Sequence, residues 1–291
     1  MRKPRALRRG DRIAVVAPAS AFARAEFDAG VNELKTLGFE PVYDESVFER
    51  RAYAAGSART RAAAFARAWL DPDIAALIAV RGGYGSVHLL PLLDTSLLTW
   101  LTLTGKIVSF HGPMLEGRLA RGPEFYDRDT FMRCLCRPYP PDEITHPNVE
   151  VLHSGEAAGM LVGGTLTQIC ASLGTPYAFD PPGGCVLFLD EVAERPYRLD
   201  RMLTQLYLSG ILSRASALVF GELPRCDEPN GPPTAREVVE ELTSGFRGPI
   251  LFGLPSGHTQ GPTLTLPFGV RARVVAGSRP AVIIEEAAVT S

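Results

Sequence analysis

The chain of 291 residues is 46% hydrophobic and 21% charged, with a formal net charge of −2. These values suit a globular protein of one large or two modest domains with a sizeable buried core. Acids are interspersed among the arginines, so the basic stripe of a nucleic-acid or anionic-membrane binder is excluded.

The first residues, Met1-Arg-Lys-Pro-Arg-Ala-Leu-Arg-Arg9, are basic like the start of a signal peptide. The apolar run behind them, residues 13–17, is too short for a secretory core and meets Pro18. No apolar stretch reaches membrane-spanning length. Residues 10–17 read as a buried parallel strand, 24–37 as a helix ended by Gly38, and 40–43 as a second strand. An alanine- and arginine-rich helix over 58–70 and a strand over 74–80 complete a β-α-β-α-β rhythm, which predicts a parallel sheet covered by helices. The third strand runs into Arg81-Gly-Gly-Tyr-Gly-Ser86, whose glycines expose backbone N–H groups before a helix expected near Val87.

Farther along, Cys134-Leu-Cys136 is a faint metal signal without matching histidines and reads as structural. The five cysteines contain no CxxC pair and their odd number completes no disulfide framework, which points to a reducing cytoplasm. Cys170 and Cys185 sit in apolar runs and read as inert core thiols. Residues 138–155, rich in proline and polar side chains, read as a linker. Beyond it come Gly159-Met-Leu-Val-Gly-Gly164, a helix over 165–173, and a strand that ends in Asp190 and Glu191. An amphipathic helix over 199–212, a strand over 217–220 and a helix over 234–242 follow. An apolar strand at 249–253 leads to Gly257-His258, and a tail of strands over 263–266, 270–275 and 281–284 closes the chain.

In open α/β sheets functional groups gather where strands end, so Asp190, Glu191 and His258 are candidates for an acid that orients an imidazole. Successive strand residues point to opposite faces, so both acids cannot serve at once; Asp190 is preferred to Glu191.

Several segments together resemble the LD-carboxypeptidase family of serine peptidases, which also contains the microcin-C-immunity peptidases. They are Gly10-Asp-Arg-Ile-Ala-Val-Val-Ala-Pro-Ala-Ser20, Ala79-Val-Arg-Gly-Gly-Tyr-Gly-Ser86, Ser109-Phe-His-Gly-Pro-Met114 and Ala171-Ser-Leu-Gly-Thr-Pro-Tyr177. The longest covers residues 187–205, and the last are Leu254-Pro-Ser-Gly-His258 and Thr265-Leu-Pro-Phe-Gly269. The resemblance implies a cytoplasmic hydrolase that removes a terminal D-amino acid from murein peptides through a Ser-acid-His triad, with no metal or organic cofactor. His258 matches the family's histidine, and Asp190 stands where the family has glutamate, with Glu191 beside it. Backbone N–H groups of Gly82, Gly83 and Tyr84 fall where an oxyanion hole forms, following the usual logic of acyl transfer. Family members are often dimers, and the apolar tail and helix 199–212 are candidate subunit contacts.

Two departures stand out. Gly163-Gly-Thr165 carries threonine where the family usually has asparagine. More seriously, residues 89–94 pass directly to 95–105, which resemble the helix behind the family's nucleophile, so the strand and sharp turn that present the serine have no counterpart. Ser86, Ser96 and Ser109 are the nearest hydroxyls, and each reads as capping or turn polarity. His88, His111, His146 and His153 read as surface or packing residues.

The expected fold is α/β: an N-terminal doubly wound parallel-sheet domain, residues 1–147, and a C-terminal β-rich α/β domain, residues 156–291, with the site between them. The expected functions are an LD-carboxypeptidase on murein or related small peptides, a catalytically impaired relative that binds peptide or is a defective product, or an immunity-type hydrolase of peptidyl-nucleotide antibiotics. A partial loss of sheet predicts low solubility or a broad melt.

Overall fold

The computed structural model describes residues 1–93, 102–103 and 105–291. A first layer follows the expected rhythm: β1 (Arg12–Val16), α1 (Arg24–Thr36), β2 (Glu40–Val42), α2 (Ala58–Leu70) and β3 (Ile74–Ala79). The strands form a parallel sheet in the order β2-β1-β3. Helix α1 buries Phe27, Gly30, Val31 and Leu34, a stripe at helical spacing. Helix α2 starts at Ser57, whose hydroxyl accepts the Thr60 N–H. Among the described residues β3 pairs only with β1, and all six of its residues are half-buried. The helix expected near Val87 is instead a 3-10 turn, Ser86–Leu92, because Pro91 interrupts the α-helical ladder.

The second layer begins with β4 (Ser109–His111) and α3 (Arg128–Cys136), followed by β5 (Asp142–Ile144), β6 (Glu150–His153) and β7 (Gly155–Thr165). Residues 138–155 are therefore not a plain linker. Their short polar stretches supply β5 and β6 at the two margins of the large sheet, where short, charged strands are tolerated. The chain continues with α4 (Leu166–Ser172), β8 (Cys185–Asp190), α5 (Pro196–Leu208), α6 (Ile211–Arg214) and β9 (Ala215–Gly221). It ends with α7 (Ala235–Thr243), β10 (Ile250–Leu254), β11 (Leu266–Phe268), β12 (Arg271–Ala276) and β13 (Ala281–Ile284). The helix expected over 199–212 is thus two helices, broken at Gly210, which has φ +77°.

The eight-stranded sheet runs β5-β13-β12-β7-β8-β9-β10-β6, with parallel pairing from β7 through β10 and antiparallel margins. Strand β8 lies inside the parallel part and all six residues are buried, as a strand covered on both faces requires. Its alternate residues serve two cores. Leu187 and Leu189 pack with Leu199, Leu203 and Leu206 of α5, whereas Val186 and Phe188 pack with Val219, Leu266 and Val274. That alternation continues past the strand end and decides where the two acids point. None of the helices among the described residues is long and apolar enough to cross a membrane. The fold is the mixed α/β architecture expected, with a small parallel sheet and a larger mixed one.

Candidate active site

Asp190 is the last residue of β8 and is fully buried. It lies on the Val186–Phe188 face. There its Oδ2 accepts the His258 Nδ1 at 2.7 Å and the His258 backbone N–H at 3.0 Å. Its Oδ1 accepts the Thr165 hydroxyl at 3.1 Å, and Thr165 stands opposite Asp190 in the β7–β8 register. A carboxylate only accepts, so His258 carries its proton on Nδ1 and leaves the Nε2 lone pair free to act as a base. Burial by itself would push the Asp190 pKa up. The hydrogen bond from the His258 ring, the nearby His111 and His258 charges and the His258 N–H outweigh it, and the group stays charged below the usual carboxylate range.

Glu191 continues the other face. Its Oε2 accepts the Thr167 N–H at 2.8 Å and the Thr167 hydroxyl at 2.6 Å, so it caps the start of α4 and does not meet His258. Of the two adjacent acids, the structure brings only Asp190 to the imidazole.

The loop between β10 and β11 delivers His258 because Gly257 takes φ +74°. A Cβ at Gly257 would lie 2.3 Å from Asp190 Oδ2 and 2.7 Å from His111 Nε2, so glycine is required by space as well as by conformation. His111 ends β4, which pairs with β11 and sets His111 opposite Leu266. Its ring stacks on Phe268 at 5.3 Å and tilts against Phe188, with Nε2 buried and 4.0 Å from Asp190 Oδ1. Burial lowers the His111 pKa more than Asp190 raises it. His111 packs against the two phenylalanines, as a packing residue does, and in addition brings its Nε2 to 4.0 Å from the Asp190 carboxylate. The Ser109-Phe-His-Gly-Pro-Met114 segment marked this position, but only the β4–β11 register reveals the contact. Thr165 was likewise visible in sequence only as a departure from the family.

The remaining histidines do stand elsewhere. His153 Nδ1 pairs with the Gly248 carbonyl, His146 Nδ1 accepts the Asn148 N–H, and His88 packs edge-on to Tyr84. Cys170 and Cys185 have thiols pushed up to about 11 by burial, which suits inert core groups.

At the glycine turn, Gly83 takes φ +90° in open surroundings, Tyr84 is exposed and packs against Tyr53, and the Gly82 N–H points at the Met114 sulfur at 2.9 Å. Among the described residues no hydrogen bond or ring contact joins these three to Asp190 or His258. The buried Arg61 of α2 braces the turn from beneath, donating to the Gly85 carbonyl at 2.9 Å and to the Pro18 carbonyl. Met114 in turn lines a cavity of ≈240 Å³ with Arg118, Arg121, Phe125, Thr259 and Gln260. The residues just after His258 thus border this cavity, and the glycine turn touches its wall through the Gly82–Met114 contact. Arg118 holds the Thr259 and Gly261 carbonyls at 2.8 and 3.0 Å, which fixes the loop behind His258. Sequence patterning gave no sign of Arg61 or Arg118, because each acts through carbonyls of distant segments.

Among the described residues no serine hydroxyl is bonded to the His258 ring. Ser86 donates to the Gly83 carbonyl, Ser109 pairs with Thr102 and Ser256 donates to the Leu264 carbonyl. Ser96, with the rest of 94–101 and residue 104, lies outside the described residues. What the structure brings together is a buried carboxylate and an imidazole, Asp190 and His258, in direct hydrogen-bond contact.

The model of the LD-carboxypeptidase N-terminal domain matches residues 13–108, and that of the C-terminal domain matches residues 158–274. A Synechocystis protein named as a carboxypeptidase is 32% identical, with 94% of each chain covered. A Bacillus subtilis protein named as a murein peptide carboxypeptidase is 29% identical over 310 residues, covering 97% of this chain and 94% of its own. That stretch is longer than the 291 residues here, so the relative carries segments with no counterpart in this chain. In fold, the chain is similar to the microcin C7 self-immunity protein solved with adenosine monophosphate, at 24% identity and a TM-score of 0.89 over all of both chains. With both domain models matched in order and a curated relative above 30% identity along nearly its whole length, this chain belongs to the LD-carboxypeptidase family.

Proposed function

We propose that the chain is a carboxypeptidase-like hydrolase by descent that binds murein peptides beside His258 and hydrolyses their terminal L,D-bond poorly. Asp190 and His258 are the acid and base, and Gly82, Gly83 and Tyr84 supply the N–H groups for an oxyanion. The observation that carries the reading is Asp190 Oδ2 at 2.7 Å from His258 Nδ1, with no described serine on the ring. The chemistry would be acyl transfer: His258 Nε2 takes the proton of an attacking hydroxyl, Asp190 steadies the imidazolium, and N–H donors hold the oxyanion.

Impairment rests on the sequence between residues 94 and 105, which offers no counterpart to the family's nucleophile-bearing segment; removal of a triad nucleophile costs on the order of 10⁶-fold in kcat. The murein peptide is the substrate class because the Bacillus subtilis relative, named for it, is 29% identical along nearly the whole chain. A cytoplasmic location, two domains meeting at residues 148–155 and a homodimer complete the proposal. Titration calorimetry with an L,D-tetrapeptide ending in D-alanine tests the binding half. Saturable heat that an all-L control lacks is expected; absence of heat would remove murein peptides as ligands.

A further inference from the structure

His111 is the polar group that the acyl-transfer scheme leaves without a task. Its Nε2 is buried and has no hydrogen-bond partner among the described residues, an expensive state for a polar atom unless something nearby compensates it. Among the described residues the carboxylate it faces is that of Asp190, whose Oδ1 is 4.0 Å away, beyond hydrogen-bond length but well within electrostatic reach. The ring cannot turn aside cheaply, because it stacks on Phe268 and tilts against Phe188. Gly257, by lacking a Cβ, leaves the room in which the carboxylate and this nitrogen meet.

We infer that His111 is a positioning residue: a neutral imidazole in the Nε2–H tautomer whose N–H dipole steadies the Oδ1 edge of Asp190 and keeps Oδ2 turned to His258. The charge of Asp190 selects the tautomer, since the alternative would set a nitrogen lone pair against an anion in a dry site. Neutrality matters equally. A protonated His111 would compete with His258 for the same carboxylate and repel the imidazolium. Among the described residues the titratable groups facing His111 are Asp190, at the end of β8, and His258, in the β10–β11 loop, and Phe188 and Phe268 supply ring contacts. Burial favours the neutral form. The inference rests on Asp190 and His258 being the working pair, and it does not depend on turnover.

Nitrogen-15 NMR of the histidine rings in the full-length wild-type protein tests it at neutral pH. A protonated, pyrrole-type Nε2 on His111 is expected; an unprotonated, pyridine-type Nε2 overturns the inference whether or not any variant folds. The second readout is the low-field proton of His258 Nδ1–H. His111→Phe keeps the stack but loses the dipole, and should shift that resonance upfield. His111→Gln, which restores an N–H at a similar reach, should return it towards the wild-type position. An unchanged resonance in a folded His111→Phe protein would reduce His111 to packing. Peptide binding can fail while these shifts hold, so the two proposals fail separately.

Discussion

At the scale of single residues, the division of labour between Asp190 and Glu191 follows from one alternation of strand geometry. Asp190→Asn removes the charge under the imidazole, so the low-field Nδ1–H resonance of His258 should move upfield or vanish. Glu191→Gln should leave that resonance in place and cost about 1 kcal/mol in urea unfolding, because it weakens the contacts to Thr167 at the start of α4 and to the Val192 N–H, none of which reaches His258. Proton NMR on both variants checks this; the reverse pattern would give the orienting role to Glu191. Gly257→Ala is expected to disrupt the same resonance, since the added methyl would stand where Asp190 Oδ2 and His111 Nε2 approach.

Among elements, the parallel centre of the large sheet is the rigid part that fixes the acid. Leu203 of α5 is fully buried against the Leu187–Leu189 face of β8, while Leu208 on the same helix is 76% exposed. Leu203→Ala should cost roughly 2–5 kcal/mol in denaturant unfolding, and Leu208→Ala close to nothing. Equal losses would mean that α5 packs differently. The spacing of apolar residues made such elements readable: 58–70 and the strand ending at Asp190 stand where periodicity puts them. Elements whose ends depend on single residues were less legible. Pro91 turned an expected helix into a 3-10 turn, Gly210 split another, and β5 and β6 hide in a polar, proline-rich stretch because margin strands need little apolar pattern. The Asp190–His258 pair was visible through resemblance and strand ends. His111, Thr165, Arg61 and Arg118 were not, because register and long-range carbonyl contacts assign their roles.

For the whole molecule, two depressed pKa values give stability a common sign with pH. Unfolded histidine gains a proton below about pH 6.5 while half-buried His111, with its Nε2 shielded from solvent, resists it, so stability falls as pH drops from there. The Asp190 contribution is fully present above the ordinary carboxyl value near 3.8 and is lost as pH falls through the lower folded value. Urea unfolding should therefore show less stability at pH 5 than at pH 7.5, with a smaller difference in His111→Phe. An unchanged difference would show that His111 is not buried as a neutral base. The small sheet adds a second whole-molecule expectation. Strand β3 is apolar and half-buried along its length, and among the described residues it has a partner on one edge only. Such an edge invites association, so calorimetric melting should be broad and concentration-dependent. A sharp, high-temperature, concentration-independent transition would count against a weakened sheet.

Across these scales an imidazole is held by a buried acid, and among the described residues no serine hydroxyl is bonded to its ring; the proposal of impaired hydrolysis rests on that pair. D-alanine release from an L,D-tetrapeptide by the purified full-length protein measures that most directly. The expected result is release at or barely above the rate of the protein-free control, in wild type and His258→Ala alike. Efficient release that disappears in His258→Ala would contradict it and show that a hydroxyl reaches the ring after all.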